Sequence, residues 1–229
     1  MGWSSINGLI LISGAFGLFD KEIAIKAGGY NHNTVGEDME LVVRMRKYMA
    51  DQKIKYLVKF IPEPLCWTEA PSSNKILSRQ RNRWTRGSFE TLWLHKKLLL
   101  NPKYGVLGII SIPYWFFFEW MAPIIEFGGF ILLIVFAILG YVNWPFFFVL
   151  LILVYVFSVL FSILSIVFEE LSFPQYRKPT DIFKLILTAM AEPILAHPRM
   201  VWWAIMGNID LIKGKKNWGE MTRTGFQKK

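Results

Sequence analysis

Hydrophobic and polar positions change their spacing several times along the chain, and each change marks an element. Residues 8–13 form a short apolar run, Gly14 punctuates it, and residues 15–19 form a second. That pattern predicts two short strands around a tight loop. Asp20 stands as an N-cap for a short helix over residues 21–27, closed by Gly28 and Gly29. Beyond a polar loop, Leu41, Val42, Met45, Tyr48 and Met49 recur at helical spacing behind Glu37 and Asp38. Residues 54–61 read as a third strand, ended by Pro62 and Pro64. A long helix capped by Ser72 or Ser73 is predicted to reach about Leu100. Its last turns carry Leu92, Trp93 and Leu98 beside Lys96 and Lys97, the pattern of a helix lying in a membrane interface.

From Tyr104 to Gly140 the chain is nearly all apolar, broken by Pro113, Glu119, Pro123 and Glu126. This is too long for one untilted span of ~20 residues. The expectation is an interfacial or re-entrant piece over 104–121 and a first span over 124–139. After a turn at 140–145, residues 146–168 form a second span. Residues 181–211 are apolar but carry Lys184, Glu192, His197 and Arg199, which predicts a weak span or two interfacial helices.

Composition sharpens this picture. The chain is 53% hydrophobic and 16% aromatic, yet its formal net charge is +9. No Lys or Arg lies between Tyr104 and Tyr176, whereas 44–103 and the tail 213–229 are basic. Cations collect on the cytoplasmic side of a bilayer, so the basic parts are expected inside, and two or four spans are favoured over three. Nucleic-acid binding is disfavoured as the reason for the charge, because the basic stretch abuts the membrane. The single cysteine, Cys66, excludes an intrachain disulfide and fits a reducing compartment. No secretory signal is expected ahead of the first element.

Two clusters carry candidate chemistry. In Gly36-Glu37-Asp38 a carboxylate stands at a loop edge and helix start, reachable by solvent as a general base must be. The same pair could merely complement the helix dipole. In Gln80-Arg81-Asn82-Arg83-Trp84, the positions Gln80, Arg83, Trp84 and Gly87 share one helical face. That face offers an amide, a guanidinium that can grip phosphate oxygens, an indole on which a sugar ring can stack, and a gap at Gly87 for substrate. A basic membrane-proximal helix anchored by Trp84 is the plainer alternative. His32, His95 and His197 are too scattered to suggest a metal site, while Glu119 and Glu126, two turns apart, could line a glycan path.

Taken together and in this order before apolar spans, the motifs resemble those of the membrane-bound family 2 glycosyltransferases, which include cellulose, chitin, hyaluronan and poly-N-acetylglucosamine synthases. Ser13-Gly14-Ala15-Phe16-Gly17 resembles the loop that meets the acceptor end of the glycan. Gly36-Glu37-Asp38 is similar to the family's Thr-Glu-Asp with Gly for Thr, and Gln80 to Trp84 matches Gln-x-x-Arg-Trp. The resemblance implies Asp38 as the general base, with Glu37 supporting it or contacting the acceptor. It implies Gln80 and Arg83 as ligands of the nucleotide diphosphate and Trp84 as a platform for the acceptor sugar. It also implies inversion at the anomeric carbon, a UDP-sugar donor, a glycan or lipid acceptor, and Mg2+ or Mn2+ as cofactor.

The fold expected on this basis is α/β: residues 1–71 as the C-terminal part of a GT-A-type nucleotide-sugar domain, then a motif and interfacial helix over 72–103. The membrane region would cover 104–212, as an α-helical bundle with interfacial helices, before the basic tail. Family members also carry an Asp-x-Asp for the metal, and the chain contains none, so no ligand of the cation can be assigned here. A truncated chain lacking the donor-binding half, and inactive alone, is therefore expected. The site would face the cytoplasm of a bacterial inner membrane, among lipids and, in some systems, accessory secretion subunits. Single-sugar transfer to a lipid, a non-catalytic membrane partner of a separate synthase subunit and, last, a transporter are the competing readings.

Overall fold

The computed structural model describes residues 2–12, 14, 16–61, 63, 65–172 and 178–215. The chain divides into two compact units, one comprising Met1–Ile124 with Trp203–Lys229 and the other Ile125–Trp202. In chain order the helices are α1 (Gly2–Ser5), α2 (Lys21–Lys26), α3 (Glu37–Asp51), α4 (Asn74–Leu94), α5 (Leu107–Ile138), α6 (Trp144–Ser172), α7 (Pro179–Leu195) and α8 (His197–Ile212).

In the first unit α3 is the central element. Met39 and Val43 face a core shared with Ile10, Leu92, Leu98, Leu107 and Ile112. Leu41, Met45 and Met49 face another side, covered by Phe19, Ile23, Ala27 and Tyr56. A helix apolar on two sides is buried nearly all round, which forces its polar residues to find partners. Glu40 and Arg46, both fully buried, do so as described below. Helix α2 starts where Asp20 accepts a hydrogen bond from the Ile23 amide at 3.0 Å, and α4 starts where Ser73 accepts from Ile76. Helix α4 stops at Leu94 rather than near Leu100, because His95 opens a 3-10 turn over Lys96–Leu98. Leu98 enters the core there.

The expected α/β fold is not found: among the described residues there is no strand. Residues 8–12, 17–20 and 54–61 run without regular structure, yet none pairs with another in a ladder. Apolar runs of this kind become strands only when neighbouring backbone satisfies their N–H and C=O groups. Here helix and loop side chains take those positions. Arg46 donates to the carbonyls of Leu9 and Asn7, and Ser111 donates to Gly8 O at 2.7 Å. Asn7 donates to Tyr56 O and accepts from the Val58 amide at 2.8 Å, while Phe60 N–H donates to Ser4 Oγ. The chain is helical instead.

The apolar half is built of long helices. Helices α5 and α6 are both long and apolar enough to cross a bilayer. Along α6 the large side chains stay outward, among them Phe146, Leu153, Phe161 and Phe168. So much exposed apolar surface is untenable in water and ordinary in lipid. At 1.5 Å per residue α6 is about 43 Å long, more than the ~30 Å hydrocarbon core. Residues 107–138 make one stretch long enough to span, with a bend at Met121 close to the expected division between 104–121 and 124–139. Its first part is widened into π turns at Leu107–Ser111 and Trp115–Trp120, flanking Pro113. A proline removes one backbone donor, and a π turn re-routes the bonds around it. In the second unit α6 and α7 pack together, Tyr155 donating to Met190 O at 3.0 Å.

Candidate functional site

The two sequence clusters meet backbone to backbone. A Cβ placed on Gly36 would lie 2.8 Å from Gly87 Cα, and one on Gly87 would lie 2.7 Å from Gly36 Cα. No side chain fits between them, so the start of α3 rests directly on α4. This corrects the reading of Gly87 as a gap for substrate: the space it leaves is filled by Gly36.

Asp38 occupies the first turn of α3 and is half-buried; one oxygen accepts from the Met39 amide at 2.8 Å. The other lies 3.0 Å from where a Cβ on Gly14 would stand. Gly14, Phe16 and Asp38 line one cavity of about 240 Å3, with Ile12, Gly17, Phe19 and Tyr30. Three of the expected site residues are therefore brought together. Ser13 and Ala15 lie outside the described residues. Glu37 is half-buried in the same turn and does not line that cavity.

Gln80, Arg83 and Trp84 lie on α4 in the two turns before Gly87 and are not part of the cavity lining. Gln80 and Arg83 are half-buried and Trp84 is 46% exposed. The Arg81 guanidinium stacks 4.6 Å from the Trp84 ring centroid. Burial lowers the Arg81 pKa, and among the described residues its buried Nε has no hydrogen-bond partner. A partly desolvated cation over an indole face, next to two further polar side chains, is suited to attracting an anion.

The helices are locked around this region. Glu40 is fully buried and accepts from Arg44 and from His95 Nε2, the latter at 2.9 Å. A carboxylate only accepts, so Nε2 carries the proton. Burial pushes the Glu40 carboxyl up, but the hydrogen bonds from His95 and Arg44, with their charges, outweigh it and hold its pKa below the usual value. Arg44 also donates to the carbonyls of Ala27 and Gly29, fixing the left-handed glycine turn. On the other side of α4, Asn82 accepts from Arg86 and donates to Asp210, and Gly207 lets α8 approach Asn82 and Thr85.

Sequence reasoning missed Tyr30 and Glu90. Tyr30 sits in a loop without periodicity, and Glu90 reads as an ordinary helix-surface residue. Arg81 over Trp84 was open to detection, since positions three apart on a helix meet. Glu126, expected beside Glu119 on a glycan path, is hydrogen-bonded to His197, whose Nε2 lies 3.0 Å from both its oxygens. Among the described residues no group of three or more His, Cys, Asp or Glu could hold a metal ion. The expected Mg2+ or Mn2+ therefore has no fitting donor set among them, and no step below runs through a cation.

Comparison with known proteins adds the family. The family model described as "Glycosyl transferase family group 2" matches residues 3–163. The chain is similar to "Probable glycosyltransferase YdaM" of Bacillus subtilis, 32% identical over 68 residues, which are 30% of this chain and 15% of that protein. It is similar to the poly-beta-1,6-N-acetyl-D-glucosamine synthase of Staphylococcus epidermidis, 35% identical over 81 residues, 35% of this chain and 18% of that protein. It is also similar to chitin synthase A of Colletotrichum graminicola, 38% identical over 65 residues, 28% of this chain and 3% of that protein. The matches thus span less than a fifth of the length of these relatives. No solved structure matches. With the family model covering most of its length, this chain belongs to the glycosyl transferase family group 2.

Proposed function

We propose that this chain carries the acceptor side of an inverting glycosyltransferase that moves a sugar from a UDP-sugar donor to a growing β-linked polysaccharide. The observation that supports this most is the shared cavity of Gly14, Phe16 and Asp38, held against the Gln80–Trp84 helix by the Gly36–Gly87 contact. In this reading Asp38 removes the proton of the acceptor hydroxyl as that oxygen attacks the anomeric carbon of the donor. One displacement forms the new glycosidic bond, breaks the bond to the diphosphate and inverts the configuration. Gln80 and Arg83 bind the diphosphate and stabilise the charge it gains on leaving. Trp84 stacks on the acceptor sugar, and Glu37 supports the base. The sugar in the names of the staphylococcal relatives makes UDP-N-acetylglucosamine the first donor to test. The apolar helices support a membrane site; the reading puts its catalytic part at the cytoplasmic face of a bacterial inner membrane.

The test uses membrane vesicles from cells expressing the intact gene product. With UDP-N-acetylglucosamine, the wild type is expected to release UDP and form product longer than one added sugar. Asp38→Asn is expected to lower kcat by about 10²–10⁴-fold, the usual worth of a general base, with donor KM held. Product stopping at one sugar on a lipid would replace polymer synthesis by single transfer. Full activity of Asp38→Asn would remove the catalytic reading in favour of a membrane partner role.

A further inference from the structure

Glu90 has no part in the reaction above, yet it stands at the joint between the two motifs. It projects from α4 ten residues beyond Gln80. Its Oε2 accepts from the Thr34 hydroxyl at 2.8 Å and from the Val35 amide at 2.9 Å. The Thr34 hydroxyl in turn accepts from the Gly36 amide at 3.2 Å. Thr34 and Val35 are both buried. One carboxylate therefore holds the residues leading into Glu37 and Asp38, two of them directly and Gly36 through Thr34.

This arrangement answers a steric problem. The N-cap position of α3 is Gly36, which supplies no side-chain cap. The usual Ser, Thr or Asp cap is excluded there, because any Cβ would strike Gly87. The restraint must come from outside the α3 segment, and Glu90 supplies it from the helix that carries Gln80 and Arg83. The tolerance is small. The Asp38 oxygen already stands 3.0 Å from the Cβ position of Gly14, so a shift of the helix start moves the carboxylate against that loop or away from it. A misplacement of about 1 Å can cost on the order of 10²-fold in rate.

We propose that Glu90 is a positioning residue, acting through Thr34 and Val35, that fixes Asp38 for proton abstraction and couples it to the helix bearing the diphosphate ligands. The inference rests on the reading of Asp38 as the base. Its test combines rates with a readout that does not depend on catalysis, both on the intact gene product in membrane vesicles. With UDP-N-acetylglucosamine as the varied donor, Glu90→Ala is expected to lower kcat about 10–100-fold at unchanged donor KM. Glu90→Gln keeps one acceptor oxygen and is expected to recover part of that loss. Thr34→Val is expected to lower kcat as well, and the double variant to fall no further than Glu90→Ala alone. Amide exchange over residues 34–38 is expected to quicken in every variant that loses the link.

Wild-type kcat in Glu90→Ala, while Asp38→Asn is inactive, overturns the proposal. So does unchanged exchange over 34–38, or losses that multiply in the double variant. Should Glu90→Ala fail to fold, Glu90→Gln and Thr34→Val with their double variant are read by the same rule. Quickened exchange together with an active Asp38→Asn instead identifies the reading of Asp38 as the part that failed.

Discussion

Gly36 and Gly87 touch through their backbones, so closely that a Cβ on either would stand within 2.8 Å of the other's Cα. Each residue is glycine because of the other. Replacing either by alanine is an overpacking change, with an expected cost of about 1–3 kcal/mol. Gly36→Thr, which would restore the residue typical of the resembling motif, is expected to cost more than Gly36→Ala. Thermal unfolding of the detergent-solubilised protein checks the order. Wild-type stability in Gly36→Thr would mean that α3 and α4 are not in contact here.

Glu40 links α3 to His95, the residue that ends α4, and to Arg44. Glu40→Ala leaves the Arg44 guanidinium without its carboxylate in a largely buried place. The expected cost is about 3–5 kcal/mol. The pH dependence follows from the lowered Glu40 pKa. Stabilisation from a depressed carboxyl is present above its ordinary titration range and is lost as pH falls through the lower folded value. The stability gap between wild type and Glu40→Ala should therefore narrow on acidification below about pH 4.5, and a gap that widens there would contradict the network.

Asp51 accepts from Lys103 and Lys47, and these bonds hold its pKa at about 2. The folded value lies below the unfolded one, so the contribution is full above about pH 4 and disappears between pH 4 and 2. The group is partly exposed, which limits the effect to about 0.5–1 kcal/mol, reduced further by salt. Asp51→Asn should unfold slightly earlier than wild type at pH 7 in low salt and together with it at pH 2. A difference indifferent to 0.5 M NaCl, a concentration at which the screening length falls to roughly 4 Å, would argue against an ion-pair origin.

Leu153 faces outward about a third of the way along α6. In lipid, Leu153→Arg is expected to cost about 2.5–3.5 kcal/mol of insertion free energy. Reduced recovery in the membrane fraction, with Leu153→Ile recovering fully, is the expected result. Equal recovery of both would show that this face does not meet hydrocarbon.

Much of the helical content was legible in the chain. The apolar spacing of Leu41, Met45 and Met49, the caps at Asp20 and Ser73, and the long cation-free run each have a local cause, since capping and periodicity operate over a few residues. The motifs around Asp38 and Trp84 were legible for the same reason. The strands were misread because pairing is non-local. Nothing within 8–12 or 54–61 tells whether a neighbouring strand or the side chains of Arg46, Asn7 and Ser111 will satisfy the backbone.

Local chemistry thus determined the long apolar helices, the start of α3 with its carboxylates, and the amide, guanidinium and indole of α4. Only the tertiary structure decided that Gly36 meets Gly87, that Tyr30 shares a cavity with Asp38, and that Glu90 reaches back to Thr34 and Val35. Those contacts join residues about fifty apart in most cases, and no sequence period encodes them. They depend on close packing, where the absence of one Cβ on each helix sets the distance between two backbones.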